Sequence, residues 1–277
     1  MLRLFTLVYG EKYLNWFEKT SPSIGTQKAI WDIYTDPQSE KRAVEIASRL
    51  GMKIEVHSQV RTGNAGEELQ KFLISHLDLC LKTNSDLLIC PPDSIFGEES
   101  IQNMISIASA EPGICVSVPH VRANSDFLDT YSNILSNREL VKKAFEHLHK
   151  SWKDSEMTLK ENNIWWSGTA WRRLDKGLYA VIHRLPTPYL VRPLPKDLEY
   201  FHGDERLGLW DHRWPEMLVK DQRQRVIGSS DGAFIVELTD PNVNHPPLKS
   251  LDFSPDRYRG NMLHHQVNRN MVSIWRE

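Results

Sequence analysis

Short apolar runs alternate with amphipathic stretches through the first half of this chain, and that alternation is its strongest constraint on fold. Leu2 to Val8, Ala29 to Tyr34, Lys53 to His57, Asp86 to Cys90 and Ile114 to Val118 each have the length of one buried strand. Between them, Ser39 to Leu50, Glu67 to Lys82 and Glu98 to Ala110 repeat apolar residues at helical spacing. Leu69, Phe72, Leu73, Leu77, Cys80 and Leu81 form the clearest stripe. Gly51 stops one helix, and Thr35-Asp36-Pro37 closes one strand. Strand and helix in repeated alternation predict an α/β, Rossmann-like fold with a mostly parallel central sheet flanked by helices.

After Asp126 the texture changes. Leu135 to Trp152 reads as a helix, and Gly177 to Ile182 and Ala233 to Leu238 read as strands. Pro186, Pro188, Pro193 and Pro195 predict an extended or looped stretch. No flexible linker separates the halves. The expected organisation is one domain, with residues 1–125 as a ligand-binding half, 126–250 as its continuation, and 251–277 as a polar, loop-like tail.

Composition narrows the function classes. The 34 basic and 36 acidic residues leave a net charge of −2, which argues against binding nucleic acid through bulk charge. At 40% hydrophobic residues the chain can bury a core. No apolar run approaches the roughly 20 residues of a membrane span. The N-terminal run lacks the features of a signal peptide. Three cysteines without metal-like spacing fit a reducing compartment, so a cytoplasmic location is expected. Walker, Gly-x-Gly-x-x-Gly and Gly-x-Ser-x-Gly motifs are missing from the sequence.

In open α/β sheets, ligands bind beyond the C-terminal ends of the strands. The residues expected there are Thr6 and Tyr9, Asp36, the loop Arg61 to Gly66, and Asp93. An aromatic ring, two carboxylates, an arginine and a glycine-rich loop suit a nucleoside diphosphate with a divalent metal. Tyr9 is placed to flank a base, Asp36 to accept from uracil or ribose, and Asp93 to hold a hard cation bridging phosphate oxygens. A turn aspartate after a strand also serves as ordinary turn chemistry, so the expected convergence carries the argument.

With these markers, and with Asn64 to Phe72 opening a helix and Cys90-Pro91-Pro92-Asp93-Ser94-Ile95 at a strand end, the chain resembles the GT-A-fold nucleotide-sugar glycosyltransferases. The resemblance spans roughly residues 1–240. It implies a UDP- or GDP-type sugar donor, a saccharide or other hydroxyl acceptor, and Mn2+ or Mg2+ at Asp93. The family's Asp-x-Asp motif is half present, because Ile95 stands at its third position. Trp165 to Arg172, with Gly168, resembles the small-residue segment beside donor sugar and acceptor.

Transfer with inversion needs a carboxylate to take the acceptor's hydroxyl proton. Asp204, Glu205 and Asp211 are the candidates, with Trp210 or Trp214 for an acceptor to stack on. Arg61, Lys71 or a late histidine (His245, His264 or His265) would add positive charge to the leaving diphosphate. Two other readings keep this fold: a nucleotide-sugar-binding protein without catalysis, and a nucleotidyltransferase.

Overall fold

The computed structural model describes residues 1–25, 27–60, 65–131, 134–153, 156, 169–183, 188–202, 214–243 and 272–277. In chain order the strands are β1 (Leu2–Leu7), β2 (Ala29–Thr35), β3 (Lys53–Ser58), β4 (Asp86–Ile89), β5 (Ser94–Phe96), β6 (Cys115–Ser117), β7 (His120–Asn124), β8 (Thr169–Asp175), β9 (Leu178–His183), β10 (Pro188–Val191), β11 (Gln224–Val226), β12 (Ile235–Thr239) and β13 (Val272–Arg276). The helices are α1 (Gly10–Thr20), α2 (Glu40–Ser48), α3 (Ala65–Lys82), α4 (Ser100–Ser109), α5 (Phe127–Thr130), α6 (Asn137–Glu146), α7 (Lys150–Lys153), α8 (Pro195–His202) and α9 (Trp214–Lys220).

Seven strands form the central sheet in the order β11-β6-β10-β4-β1-β2-β3. All are parallel except β10, which pairs antiparallel with both β4 and β6. The expected α/β architecture with a mostly parallel sheet is therefore present. Every strand expected from the first half of the sequence belongs to this sheet.

Side chains leave a strand on alternate faces, and the two faces of this sheet bury different helices. Leu4, Trp31, Ile33 and Leu88 pack with Leu14 and Phe17 of α1, Ala43 and Ile46 of α2, and Met104 of α4. Phe5, Tyr34, Leu87 and Ile89 pack instead with Leu73 and Leu77 of α3, Phe201 of α8, and Trp214 of α9. Burying a side chain of this size contributes about 1.5–3 kcal/mol, which is why short strands such as β4 hold their place.

A second sheet, β5-β12-β7, stands at one end of the first. Ile95, Val121, Ala123, Val236 and Leu238 point from it into a separate core under α6. Ser136 and Glu139 start α6 with a reciprocal capping box, worth about 1 kcal/mol. A third sheet, β13-β9-β8, completes that core with Trp171, Tyr179 and Trp275. Val272–Arg276 thus forms a paired strand where the sequence predicted a loop-like tail. Trp275 is wholly buried and supplies the physical reason.

Candidate functional site

A cavity of 320 Å³ opens at the C-terminal ends of β1 and β4. Its floor is apolar, with Phe5 and Leu7 from β1, Ile89 from β4, and Leu69 and Leu73 from α3. Tyr9 and Tyr13 wall it where β1 turns into α1. Gly10 makes that turn possible: its φ of +75° favours a residue without a Cβ. At the polar end stand Asp93, which follows Pro91-Pro92 after β4, then Ser94, His120, Arg122, Tyr189 and Glu237.

The small sheet arranges that polar end. In the parallel β7–β12 register Glu237 faces Arg122, and in the antiparallel β5–β12 register it faces Ser94. Alternation puts His120, Arg122 and Glu237 on the face opposite Val121 and Val236, and so toward the cavity. Glu237 Oε2 is 2.7 Å from His120 Nε2, and its Oε1 is 3.1 Å from Arg122 Nε. Burial alone would push the Glu237 carboxyl up, but Arg122 and His120 more than offset it and hold Glu237 well below the usual range.

Asp93 is in the opposite condition. It is half-buried, and no other residue among the described ones hydrogen-bonds its carboxyl. Burial pushes that carboxyl upward, and the neighbouring Glu237 charge adds to the push. Its backbone carbonyl accepts from Leu238 N at 2.7 Å, which fixes the turn against β12. The arrangement has a physical preference: a cation or a hydrogen-bond donor arriving at Asp93 relieves an unpaired carboxylate. A hard divalent ion fits that single open carboxylate. Ile95 gives it no second one. That side chain is wholly buried in the core under α6, so the missing half of the Asp-x-Asp motif is a packing residue here.

The other residues expected at this rim separate. Tyr9 and Asp93 line the cavity together. Thr6 does not. Its side chain is wholly buried; the hydroxyl donates to Cys90 O at 2.7 Å and accepts from Trp31 Nε1 at 2.9 Å. Asp36 accepts from Ser39 N at 2.7 Å, which is turn chemistry leading into α2, and it is not among the cavity's lining residues. Lys71 is exposed on α3, also outside the lining. Trp214 is buried against Phe201, with its Nε1 donating to Asp197, so it offers no stacking face. Arg61, Gly168, Asp204, Glu205, Trp210, Asp211, His245, His264 and His265 lie outside the described residues.

His120, Arg122 and Glu237 escaped the sequence reading. The available signal was alternation: His120-x-Arg122, and Glu237 inside Ile235-Val-Glu-Leu, are polar positions on one face of short apolar strands.

No family model matches this chain, and no curated protein sequence matches it. Among solved structures, residues 1–349 of TarS from S. aureus, in complex with UDP-GlcNAc, are 14% identical with a TM-score of 0.44. That match covers 96% of this chain and 66% of the TarS chain. The inositol-1-phosphate CTP transferase from T. maritima is 10% identical with a TM-score of 0.42, covering 97% of each chain. Likenesses this distant assign no activity.

Proposed function

We propose that this chain is a glycosyltransferase that takes a sugar from a nucleotide-diphosphate donor and passes it to a hydroxyl acceptor. The observation that carries the reading is the cavity at the C-terminal ends of parallel β1 and β4, with tyrosines at one end and, at the other, a carboxylate that no described residue hydrogen-bonds. In this reading the nucleoside lies against Tyr9 and Tyr13, which supply flat apolar contact. The diphosphate reaches toward Asp93 and Arg122. A Mn2+ or Mg2+ ion held by Asp93 supplies charge neutralisation for the leaving diphosphate. Arg122, oriented by Glu237, adds a fixed cation on the same side. One of Asp204, Glu205 and Asp211 takes the acceptor's proton where the transfer inverts.

Ile95 in the core favours a second reading, a nucleotide-sugar binder without transfer. One experiment separates the two. Purified chain is screened by thermal shift against UDP, GDP, CDP and their common sugar conjugates, with and without Mn2+, and release of free sugar or nucleotide is then measured. Transfer or donor hydrolysis supports the enzyme. A metal-dependent thermal shift without turnover supports the binder. No shift with any nucleotide contradicts both.

A further inference from the structure

On the face of the central sheet that α3 covers, a second group of chemistry-bearing side chains meets outside the cavity. Glu55 and His57 are two apart on β3 and so share a face. Asp32 is Glu55's partner across the β2–β3 register. One ligand atom from each of Asp32, Glu55 and His57 lies within 4.8 Å of the others, and His57 Nε2 is 3.0 Å from Asp32 Oδ1. His76 descends on this group from α3. It is wholly buried, and its Nδ1 is 3.2 Å from the Tyr34 hydroxyl. Among the described residues its Nε2 has no hydrogen-bond partner, and it stands 4.0 Å from Asp32 Oδ2. A buried imidazole nitrogen without a partner leaves a desolvation cost unmet, and this one is aimed at a carboxylate.

We propose that Asp32, Glu55, His57 and His76 bind a borderline transition-metal ion of the Zn2+ kind. A Glu-x-His pair on one strand, an aspartate on its neighbour and a histidine from above make a donor set of two nitrogens and two oxygens. That set suits Zn2+ or Co2+ better than Mg2+ or Ca2+.

Arg3 is the competitor. Its Nε donates to Asp32 Oδ2 and its Nη2 to Oδ1, both at 2.9 Å, and Nη2 also pairs with Glu55. The guanidinium therefore holds the cationic place between the two carboxylates. Metal binding requires Nη2 to leave both Glu55 and Asp32 Oδ1, and His57 Nε2 to turn its lone pair from Oδ1 to the ion, while Nε stays on Oδ2 as the outer partner that orients a ligating carboxylate. Two carboxylates against one guanidinium leave one negative charge over. Lys53, on the far oxygen of Glu55, is the other charged group facing this pair, and it is exposed. His57 and Glu55 are 31% and 35% exposed, which gives an ion its way in.

The test titrates Co2+ and Zn2+ into the full chain, in wild type, His57→Ala, Glu55→Gln and Asp93→Asn. The readouts are the visible absorption band of bound Co2+ and the melting temperature with Zn2+. A stoichiometric band that Zn2+ displaces is expected in wild type and in Asp93→Asn. At least about tenfold weaker binding is expected in His57→Ala. Both residues changed on β3 are partly exposed, and circular dichroism checks their folds; Glu55→Gln decides if His57→Ala does not fold. No stoichiometric band, a band unchanged in the deciding variant, or a band that disappears with Asp93 instead would overturn the proposal. Asp93→Asn also separates this site from the cavity, whose function the result leaves standing.

Discussion

Arg122 and Glu237 stand opposite each other in the β7–β12 register and close an ion pair at 3.1 Å on the cavity side of the small sheet. The pairing satisfies Glu237, whereas no described residue hydrogen-bonds the Asp93 carboxyl. Two acids on one wall are driven apart: Arg122 and His120 hold Glu237 ionised, while burial, with the Glu237 charge added, pushes Asp93 toward its neutral form.

Asp93→Asn follows from that asymmetry. The folded Asp93 titrates above its unfolded value of about 3.9. Its contribution to stability is complete below that unfolded value and is lost as pH rises through the folded one. Without ligand, the asparagine variant is expected to melt higher than wild type at pH 8, with the difference vanishing near pH 4. It should also lose any metal-dependent shift with a nucleoside diphosphate. Calorimetry across this pH range checks the first outcome, and nucleotide titrations the second.

Thr6→Val separates core from site. The substitution keeps shape but removes the acceptor for Trp31 Nε1 and the donor to Cys90 O. A loss of about 1–3 kcal/mol in urea unfolding is expected, from the buried indole N–H left unmet. Nucleotide affinity should not change. A large loss of affinity in a fully folded variant would return Thr6 to the ligand.

Asp197→Ala tests the support beneath α9. Arg223 reaches Asp197 through both terminal nitrogens at 2.7 Å, and both side chains are buried. Removing the carboxylate leaves an uncompensated buried guanidinium, at a cost of about 3–5 kcal/mol in urea unfolding. A cost below about 1 kcal/mol, as for an exposed pair, would contradict this burial.

His76 gives an acid limb. Burial holds its folded pKa near 4, below the unfolded value of about 6.5. Stability from the neutral imidazole is full above pH 6.5 and declines as pH falls toward 4. In a chelator, His76→Gln is expected to flatten that limb of the melting curve between pH 7 and 4.5. An identical slope in both proteins would contradict it.

The apolar runs at Leu4, Ile33 and Leu88 made the parallel strands legible, because central strands are buried on both faces. Helix α1 was not legible: GEKYLNWFEKT buries only Leu14, Trp16, Phe17 and Thr20, too few for a clear stripe. Strand β10 was hidden by its prolines. Pro188 is its first residue, a position where a strand can do without an N–H, and Tyr189 to Val191 then enter the middle of the sheet. Tyr9 and Asp93 were readable as strand-end residues. The Arg122–Glu237 pair was not, since it exists only through the pairing of short strands far apart in sequence.

Calorimetric titration of UDP and GDP with Mn2+ into wild type, Tyr9→Ala and Arg122→Ala tests whether the proposed nucleotide-sugar site is the cavity over β1 and β4. Saturable binding of one of the two nucleotides is expected in wild type, weakened at least tenfold, about 1.4 kcal/mol, in each variant. Absence of binding by either nucleotide, or binding that neither substitution changes, would contradict it.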